Sequence, residues 1–373
     1  RRAGSRRSDG AGRSDGAIRQ GDRTGRYGGP VTATVEEPVV ASVHGRLGHI
    51  RLNRPSKINA LNLEMIGAVR MYLHRWAADE SVMAVLIDGA GDRGLCAGGD
   101  IAAVYDGIRG ESPAPQEFWA DEYRMNLEIS DYAKPVVAVM HGITFGGGIG
   151  ISGHARIRVV TESSQLAMPE TAIGLSPDVG GLYLLSRAPG EMGTHAALTG
   201  ARLGPGDAIA AGLADFFVPA ASLEAMVTSL RGIETADDAS RIVSSFAAAP
   251  PPGVIWPACR RWIDTCYRGG DPRAILSALR SDPDPAARQA AQTLAGMSPT
   301  AVAVTLAAIR RAASMALAEV LEQDLVLSVR FAAHHDFPEG IRAQIIDKDR
   351  QPRWQPAHLD DVTDAQVAAF FAP

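Results

Sequence analysis

One stretch, residues 135 to 181, constrains the fold of this chain more than any other. It reads PVVAVMHGITFGGGIGISGHARIRVVTESSQLAMPETAIGLSPDVGG, an apolar run of strand length that leads into three consecutive glycines. Glycine lets a turn approach a ligand closely, with amide N–H groups free to point at it. Two acids, Glu170 and Asp178, follow in short loops beside proline and glycine, which suits the wall of a cleft better than one helix face. The stretch therefore predicts an enzyme.

Short apolar runs alternate with helical periodicity through about the first 220 residues. The strand-like runs are VVASVHG, HIRLNRP, VMAVLID and residues 136–140, 156–160 and 165–168. Residues 63–76 and 116–131 have helical patterns instead. This alternation predicts an α/β fold with parallel strand pairing. Beyond about residue 220, Ala-rich helical patterns replace the strands, so we expect a catalytic core over residues 36–219 and a helical C-terminal region over residues 220–373.

The N-terminal segment, residues 1–35, differs from the rest. Its first thirty residues carry eight arginines and three aspartates, with many glycines and serines and almost no large apolar side chain. Such a segment cannot bury enough apolar surface to offset the entropy lost on ordering. We expect a disordered or non-native N-terminal extension, with ordered structure starting between residues 31 and 39.

Composition excludes several classes of function. The net charge of -5 argues against nucleic acid as the main partner. Three cysteines form no metal-ligand spacing and no disulfide framework, which favours a reducing compartment and no bound metal. The most apolar stretch, residues 135–153, contains a histidine and many glycines, so we expect a buried segment and no membrane partner. The Ala-, Arg- and Gly-rich composition is typical of a high-GC bacterial protein and favours the cytoplasm over a mitochondrial matrix.

Two glycine loops each follow a predicted strand and open a predicted helix. They are LCAGGD at residues 95–100 and GITFGGGIG at residues 142–150. Amides at a helix N-terminus favour developing negative charge, and two such loops facing each other would form an oxyanion hole for a carbonyl. The alternative is that the glycines only permit tight turns. Neither loop fits a dinucleotide or Walker-type fingerprint.

Each of the acidic residues can be interpreted either as catalytic or as an ordinary capping or solvated residue. Glu170 follows an apolar run, where burial could raise its pKa enough for it to act as a base, although a lone glutamate is more often a cap or a solvated residue. Glu122 lies on the predicted helix 116–131, and its spacing alone indicates a solvated helix face. The serines lack a G-x-S-x-G elbow, so a Ser-His-Asp hydrolase is not expected.

Several motifs together are similar to those of a known family. NRPSKINALN, VMAVLIDGAG, LCAGGDI, KPVVAVMHGITFGGGIGIS and PETAIGLSPDVGG resemble, in this order, the enoyl-CoA hydratase/isomerase (crotonase) superfamily. Residues 121–126 and the late segment EGIRAQIIDKDRQPRWQP resemble its 3-hydroxyisobutyryl-CoA hydrolase branch. The resemblance implies a crotonase-like spiral of ββα units and an acyl-CoA substrate. It implies no separate cofactor, because CoA is part of the substrate, and it leaves a homo-oligomer open.

The resemblance also assigns roles to individual residues. It implies Glu170 and Asp178 as catalytic acids and the backbone N–H groups of Gly99 and Gly147 as the oxyanion hole. Glu122 would contact the substrate, together with Gly147 and both catalytic acids. The positions implied to handle CoA are Lys57, Ala60, Ala97, Gly98, Gly99 and Asp100.

One position departs from the hydratase pattern. Family hydratases carry two catalytic glutamates, and their positions correspond to Gly150 and Glu170 here. Without a carboxylate at Gly150, the paired placement of water across a C=C bond is missing. The hydrolase branch instead places an acid where Asp178 stands, so the resemblance implies hydrolysis of 3-hydroxyisobutyryl-CoA to 3-hydroxyisobutyrate and CoA, a step of valine breakdown. An enoyl-CoA hydratase/isomerase and a non-catalytic acyl-CoA-binding protein remain as alternatives.

Overall fold

The strands form a six-stranded sheet and a two-stranded sheet in the computed structural model, which describes residues 37–372. The predicted N-terminal extension lies outside these described residues. The strands are β1 (Val39–His44), β2 (Leu47–Leu52), β3 (Ala84–Gly89), β4 (Val136–Val139), β5 (Ile143–Phe145), β6 (Ile157–Val160), β7 (Gln165–Ala167) and β8 (Phe216–Phe217). The large sheet has the order β1-β2-β3-β4-β6-β8, and only its β1–β2 pair is antiparallel. The predicted parallel pairing is confirmed.

Helices cover the sheet and account for most of the remaining regular structure among the described residues. Those before residue 219 are α1 (Leu63–Ala77), α2 (Ile101–Arg109), α3 (Ala114–Ser130), α4 (Gly147–Gly153), α5 (Gly181–Leu185), α6 (Met192–Thr199) and α7 (Pro205–Ala210). Those after it are α8 (Leu223–Arg231), α9 (Asp238–Ser245), α10 (Trp256–Cys266), α11 (Pro272–Ser281), α12 (Pro285–Gly296), α13 (Pro299–Ala312), α14 (Leu317–Ala332), α15 (Asp336–Ile341) and α16 (Asp364–Ala369). Short 3-10 turns occur at Pro55–Lys57, Glu170–Ile173, Ala220–Ser222 and Leu359–Asp361, and a π-helical turn at Arg342–Ile346.

The chain winds as a spiral of repeated ββα units. Each turn gives one strand to the large sheet, then a shorter extended segment to a second layer, and then a helix or helical turn. After β3 the second segment is a bridge from Cys96 to Thr144, after β4 it is β5, and after β6 it is β7. Since β5 pairs with β7 and Cys96 bridges β5, successive turns stack in register. The expected α/β crotonase-like spiral, with helices following it, is confirmed.

Both faces of the large sheet are buried, which explains why its central strands read as continuous apolar runs. In β3, Ala84 and Leu86 face one cluster, which contains side chains of α8 and α9, whereas Val85 and Ile87 face the main core. The main core includes residues before and after position 219, because α13 and α14 contribute to it. The predicted boundary near residue 220 stays a prediction.

Among residues 37–372, no single helix is long and apolar enough to cross a membrane. The helices α12 and α13 meet the criterion only as a pair, with a bend of 111° between them.

Candidate active site

Three successive turns of the spiral end side by side, and their ends line one cavity. The extended segments at Cys96, β5 and β7 lead into the glycine loops at 98–99 and 146–147 and into the 3-10 turn at Glu170. These ends line a cavity of about 260 Å³. The predicted site residues that it brings together are Ala97, Gly98, Gly99, Glu122, Gly147, Glu170 and Asp178.

The two glycine loops face each other across the cavity. A Cβ atom placed on Gly147 would lie 3.2 Å from the amide nitrogen of Gly99. Within residues 37–372, the amide N–H groups of Gly99 and Gly147 have no protein acceptor. Gly147 is also the first residue of α4, where the helix dipole adds positive potential. Two free N–H groups in this arrangement can stabilise an oxyanion.

Glycine is required where the carboxylates approach these loops. Gly146 has φ +47°, a backbone conformation that disfavours other residues, and a Cβ there would lie 2.6 Å from Oε1 of Glu170. A Cβ on Gly147 would lie 2.5 Å from Oε1 of Glu122. Both glutamates therefore reach the backbone that carries the proposed oxyanion donors.

The three acids are buried, each supplied by a different element. Glu122 comes from α3, Glu170 from the 3-10 turn and Asp178 from the loop before α5. Only 2% of Glu122 is exposed, so its interpretation as part of a solvated helix face is wrong. Oε1 of Glu122 and Oε2 of Glu170 are buried without a hydrogen-bond partner in the described chain. Buried polar atoms are nearly always paired, so we expect a bound ligand to supply hydrogen-bond donors to these two oxygens.

Burial and mutual repulsion shift the pKa values of these acids. Burial, with the nearby carboxylates of Asp178 and Glu170, holds the pKa of Glu122 well above its usual value. Burial and Asp178 do the same for the pKa of Glu170. Burial raises the pKa of Asp178 to about 6, although a hydrogen bond from Tyr123 opposes the shift. All three acids thus hold a proton more strongly than exposed carboxyl groups do, which suits groups that transfer protons.

Position 150, where the resemblance places a hydratase glutamate, is sterically filled. A Cβ on Gly150 would lie 2.8 Å from Cβ of Val179 and 2.9 Å from the amide group of Asn126. With its amide nitrogen turned toward the backbone, Asn126 donates to the carbonyls of Glu122 (3.3 Å) and Gly150 (3.2 Å). A glutamate side chain at position 150 has no room without displacing these neighbours.

The remaining predicted CoA-binding residues lie beside the cavity wall. Lys57 is exposed at the end of a 3-10 turn. Arg54 donates to the carbonyl of Ala60 (2.6 Å) and to Oδ2 of Asp100 (3.0 Å). The amide of Ala97 donates to the carbonyl of Ile58 at 2.9 Å, which joins the loop of residues 95–100 to the segment that carries Lys57 and Ala60. Lys57, Ala60 and Asp100 are not part of the cavity wall.

Sequence reasoning missed a polar layer behind Asp178. The hydroxyl of Tyr123 donates to Oδ2 of Asp178 at 2.6 Å and lies 2.8 Å from Oγ of Ser328 on α14. Asp324, also on α14, accepts from the amide of Gly180 at 2.8 Å. Helical spacing was the available signal for Asp324, since it falls on one face of α14 with the buried residues 320, 327 and 331.

The cavity wall also contains residues that the sequence did not indicate. They are Ile101, Phe118, Trp119, Phe145, Gly146, Pro169, Ala172, Ile173, Leu175, Gln344 and Ile345.

Among residues 37–372, no three His, Cys, Asp or Glu side chains are arranged to hold a metal ion.

Comparison with known proteins places the chain in a family. The family model described as enoyl-CoA hydratase/isomerase matches residues 47–371. The chain is 38% identical over 346 residues to 3-hydroxyisobutyryl-CoA hydrolase, mitochondrial, of Rattus norvegicus, with 91% of this chain and 89% of the relative covered. It is 40% identical to the protein of the same name from Xenopus laevis, with 88% and 86% covered. Among solved structures, a carnitinyl-CoA dehydratase from Mycobacterium thermoresistibile is 44% identical, with a TM-score of 0.86 and coverage of 90% and 97%. The chain belongs to the enoyl-CoA hydratase/isomerase family.

Proposed function

We propose that this chain is a thioester hydrolase that converts 3-hydroxyisobutyryl-CoA and water to 3-hydroxyisobutyrate and CoA. The observation that carries the proposal is the occupied space at Gly150, which leaves Glu170 without the second glutamate of a hydratase. Asp178 stands in the same cavity instead. The names of the rat and Xenopus relatives support the same substrate.

The oxyanion hole would act first. The thioester carbonyl oxygen would accept hydrogen bonds from the N–H groups of Gly99 and Gly147, which stabilise the negative charge of the tetrahedral intermediate. One such donor is typically worth about 10²–10³ in rate. Because both N–H groups belong to fixed backbone and have no protein acceptor among the described residues, they need no rearrangement to do this.

Two routes for Glu170 fit the cavity. In one, Glu170 takes a proton from water, whose oxygen attacks the thioester carbon. In the other, its carboxylate attacks that carbon and water then cleaves the mixed anhydride. In both, the C–S bond breaks and the CoA sulfur receives a proton. Asp178, which ionises near pH 6, would shuttle that proton.

Glu122 would select for a hydroxylated acyl group. Its unpaired Oε1 lies next to Gly147, where the acyl group is held when the carbonyl occupies the oxyanion hole. A buried polar group that pairs with a substrate hydroxyl rejects substrates lacking it, because the group is then left unpaired. The CoA portion would lie along Lys57, Ala60 and residues 97–100.

Partners and location are also proposals. We propose an acyl-CoA substrate with no separate cofactor or metal, and no nucleic-acid or membrane partner. A homo-oligomer stays open. The cytoplasm favoured by composition stays a prediction, and the mitochondrial names of the two relatives support the alternative of a mitochondrial matrix.

The main alternative is chemistry at a C=C bond, in a hydratase or isomerase. The similarity to a 44% identical protein named as a dehydratase favours it, and the steric block at Gly150 opposes it. A non-catalytic acyl-CoA-binding protein is a second alternative. It gives no reason for three buried acids beside two free amides.

One paired assay tests the proposal. The protein is mixed with 3-hydroxyisobutyryl-CoA and with crotonyl-CoA, and free thiol and the conjugated double bond are followed. Thiol release from the first substrate alone supports the hydrolase. Loss of the double bond without thiol release identifies a hydratase, and no reaction with either identifies a binding protein.

A further inference from the structure

Helix α14 of the C-terminal helical region is connected to Asp178 of the proposed active site through two buried hydroxyl groups. Tyr123 on α3 is 4% exposed and Ser328 on α14 is 1% exposed. The two hydroxyls are 2.8 Å apart, although 205 positions separate them in the chain. Tyr123 has one hydroxyl hydrogen and directs it to Oδ2 of Asp178 at 2.6 Å, so Ser328 is the donor to the Tyr123 oxygen.

The loop that carries Asp178 needs such support. Val179, a β-branched residue, has φ +54°, a backbone conformation that is strained for its type. Two contacts hold the loop next to it. His154 Nε2 lies 2.8 Å from the carbonyl oxygen of Val179, and Asp324 of α14 accepts from the amide of Gly180. A strained loop persists only where its surroundings determine it fully.

We propose that Tyr123 is a positioning residue for hydrolysis. Its hydroxyl, fixed by Ser328, holds the Asp178 carboxylate toward Glu170 by one donated hydrogen bond. The inference rests on the proposed function and extends it, because it gives α14 a part in the chemistry.

The charges around Asp178 make this hydrogen bond consequential. Glu122 of α3, Glu170 of the 3-10 turn and Asp324 of α14 are acids that face the same buried region. Burial lowers the pKa of His154 to about 4, so His154 is neutral near pH 7 and supplies no positive charge. Tyr123 is thus the side-chain donor that favours the ionised form of Asp178. Without it, the pKa of Asp178 rises further.

The test compares Tyr123→Phe, Ser328→Ala and a matched control. The control is Tyr132→Phe, which removes a tyrosine hydroxyl that donates to the carbonyl of Leu73 at 2.7 Å, away from the cavity. For each protein, kcat and KM for 3-hydroxyisobutyryl-CoA are measured across the pH range. Folding is checked by circular dichroism.

We expect Tyr123→Phe to lower kcat by about 10- to 100-fold, the range that one hydrogen bond to a charged group supplies, with little change in KM. The step of its pH profile that reports ionisation of Asp178 moves to higher pH. Ser328→Ala shows a smaller loss with the same direction of shift, and Tyr132→Phe keeps the wild-type profile. A Tyr123→Phe enzyme with the kcat and pH profile of the wild type overturns the inference. If Tyr123→Phe fails to fold, Ser328→Ala decides by the same criterion.

A second readout separates this inference from the proposed function. The infrared band of the protonated Asp178 carboxyl is assigned by its absence in Asp178→Asn and is then titrated. If the wild type releases no thiol, the hydrolase proposal fails. The positioning role of Tyr123 still holds if the band titrates at higher pH in Tyr123→Phe, and it fails if the band titrates unchanged.

Discussion

The amide of Asn126 occupies the space into which a side chain at Gly150 would project, since a Cβ there would approach it to 2.9 Å. Asn126 is fully buried on α3, four residues after Glu122. One helix thus fills the place of the missing hydratase glutamate and supplies a different carboxylate to the cavity. This arrangement underlies the proposal of thioester hydrolysis.

Adding a methyl group at Gly150 should destabilise the fold. We expect Gly150→Ala to lower the free energy of unfolding by about 1–3 kcal/mol, because the core is already filled there. Gly67, inside α1 with open space around its Cα, is the matched control. Gly67→Ala should raise stability by about 0.5–1 kcal/mol through its helix propensity. Chemical denaturation measures both, and equal stability of Gly150→Ala and the wild type would contradict the steric account.

Replacing Glu170 should stop turnover without abolishing binding. Glu170→Gln keeps the shape of the side chain but cannot accept a proton or act as a nucleophile, so we expect thiol release to fall by about 10²–10⁴-fold. Binding of a CoA ester, followed by calorimetry, should persist. Glu162→Gln is the control, since Glu162 is exposed and caps the amide of Ala220. Near-normal turnover in Glu170→Gln would remove Glu170 from the mechanism.

Selectivity for a hydroxylated acyl group should depend on Glu122. We expect Glu122→Ala to lower the ratio of kcat/KM for 3-hydroxyisobutyryl-CoA over isobutyryl-CoA by about 10-fold or more. Glu117→Ala changes an exposed acid on the same helix and should leave the ratio unchanged. A fall in both kcat/KM values with a constant ratio would show that Glu122 does not contact the hydroxyl group.

The contribution of buried Asp324 to stability should decrease as the pH rises above the ordinary pKa of an aspartate, about 3.9. Burial raises the pKa of Asp324 well above its usual value, so the folded state keeps a proton that the unfolded state has already lost. Stability therefore falls as pH rises from the unfolded pKa toward the folded one. Asp324→Asn can still accept from the Gly180 amide but carries no charge, so we expect it to be more stable than the wild type at pH 8 by about 1–3 kcal/mol and similar at pH 4. Denaturant unfolding at both pH values checks this, and a pH-independent difference would contradict the buried-charge account.

Much of the fold could be predicted because its signals are local. The apolar run at 136–140 and the glycine loops near residues 98 and 147 are contiguous patterns, and both appear where they were expected. Glycines, which permit positive φ, are also visible in the sequence, and Gly146 is one that has this conformation.

The second layer of the site could not be predicted in the same way. Glu122 reads as a surface residue of a helix until the helix packs against the loop of Gly147. The contact between Tyr123 and Ser328 joins distant parts of the chain, so no local pattern encodes it. Asp324 was predictable in part, because an acid on the apolar face of a helix has to be buried.

Comparing the rates of thiol release and of double-bond loss decides between a hydrolase and a hydratase. Purified protein is given 3-hydroxyisobutyryl-CoA and crotonyl-CoA in separate reactions, and kcat/KM is obtained for thiol release from the first and for double-bond loss from the second. We expect catalytic thiol release that depends on Glu170, and double-bond loss no faster than in Glu170→Gln. Efficient loss of the crotonyl double bond, with no thiol release from 3-hydroxyisobutyryl-CoA, would contradict it.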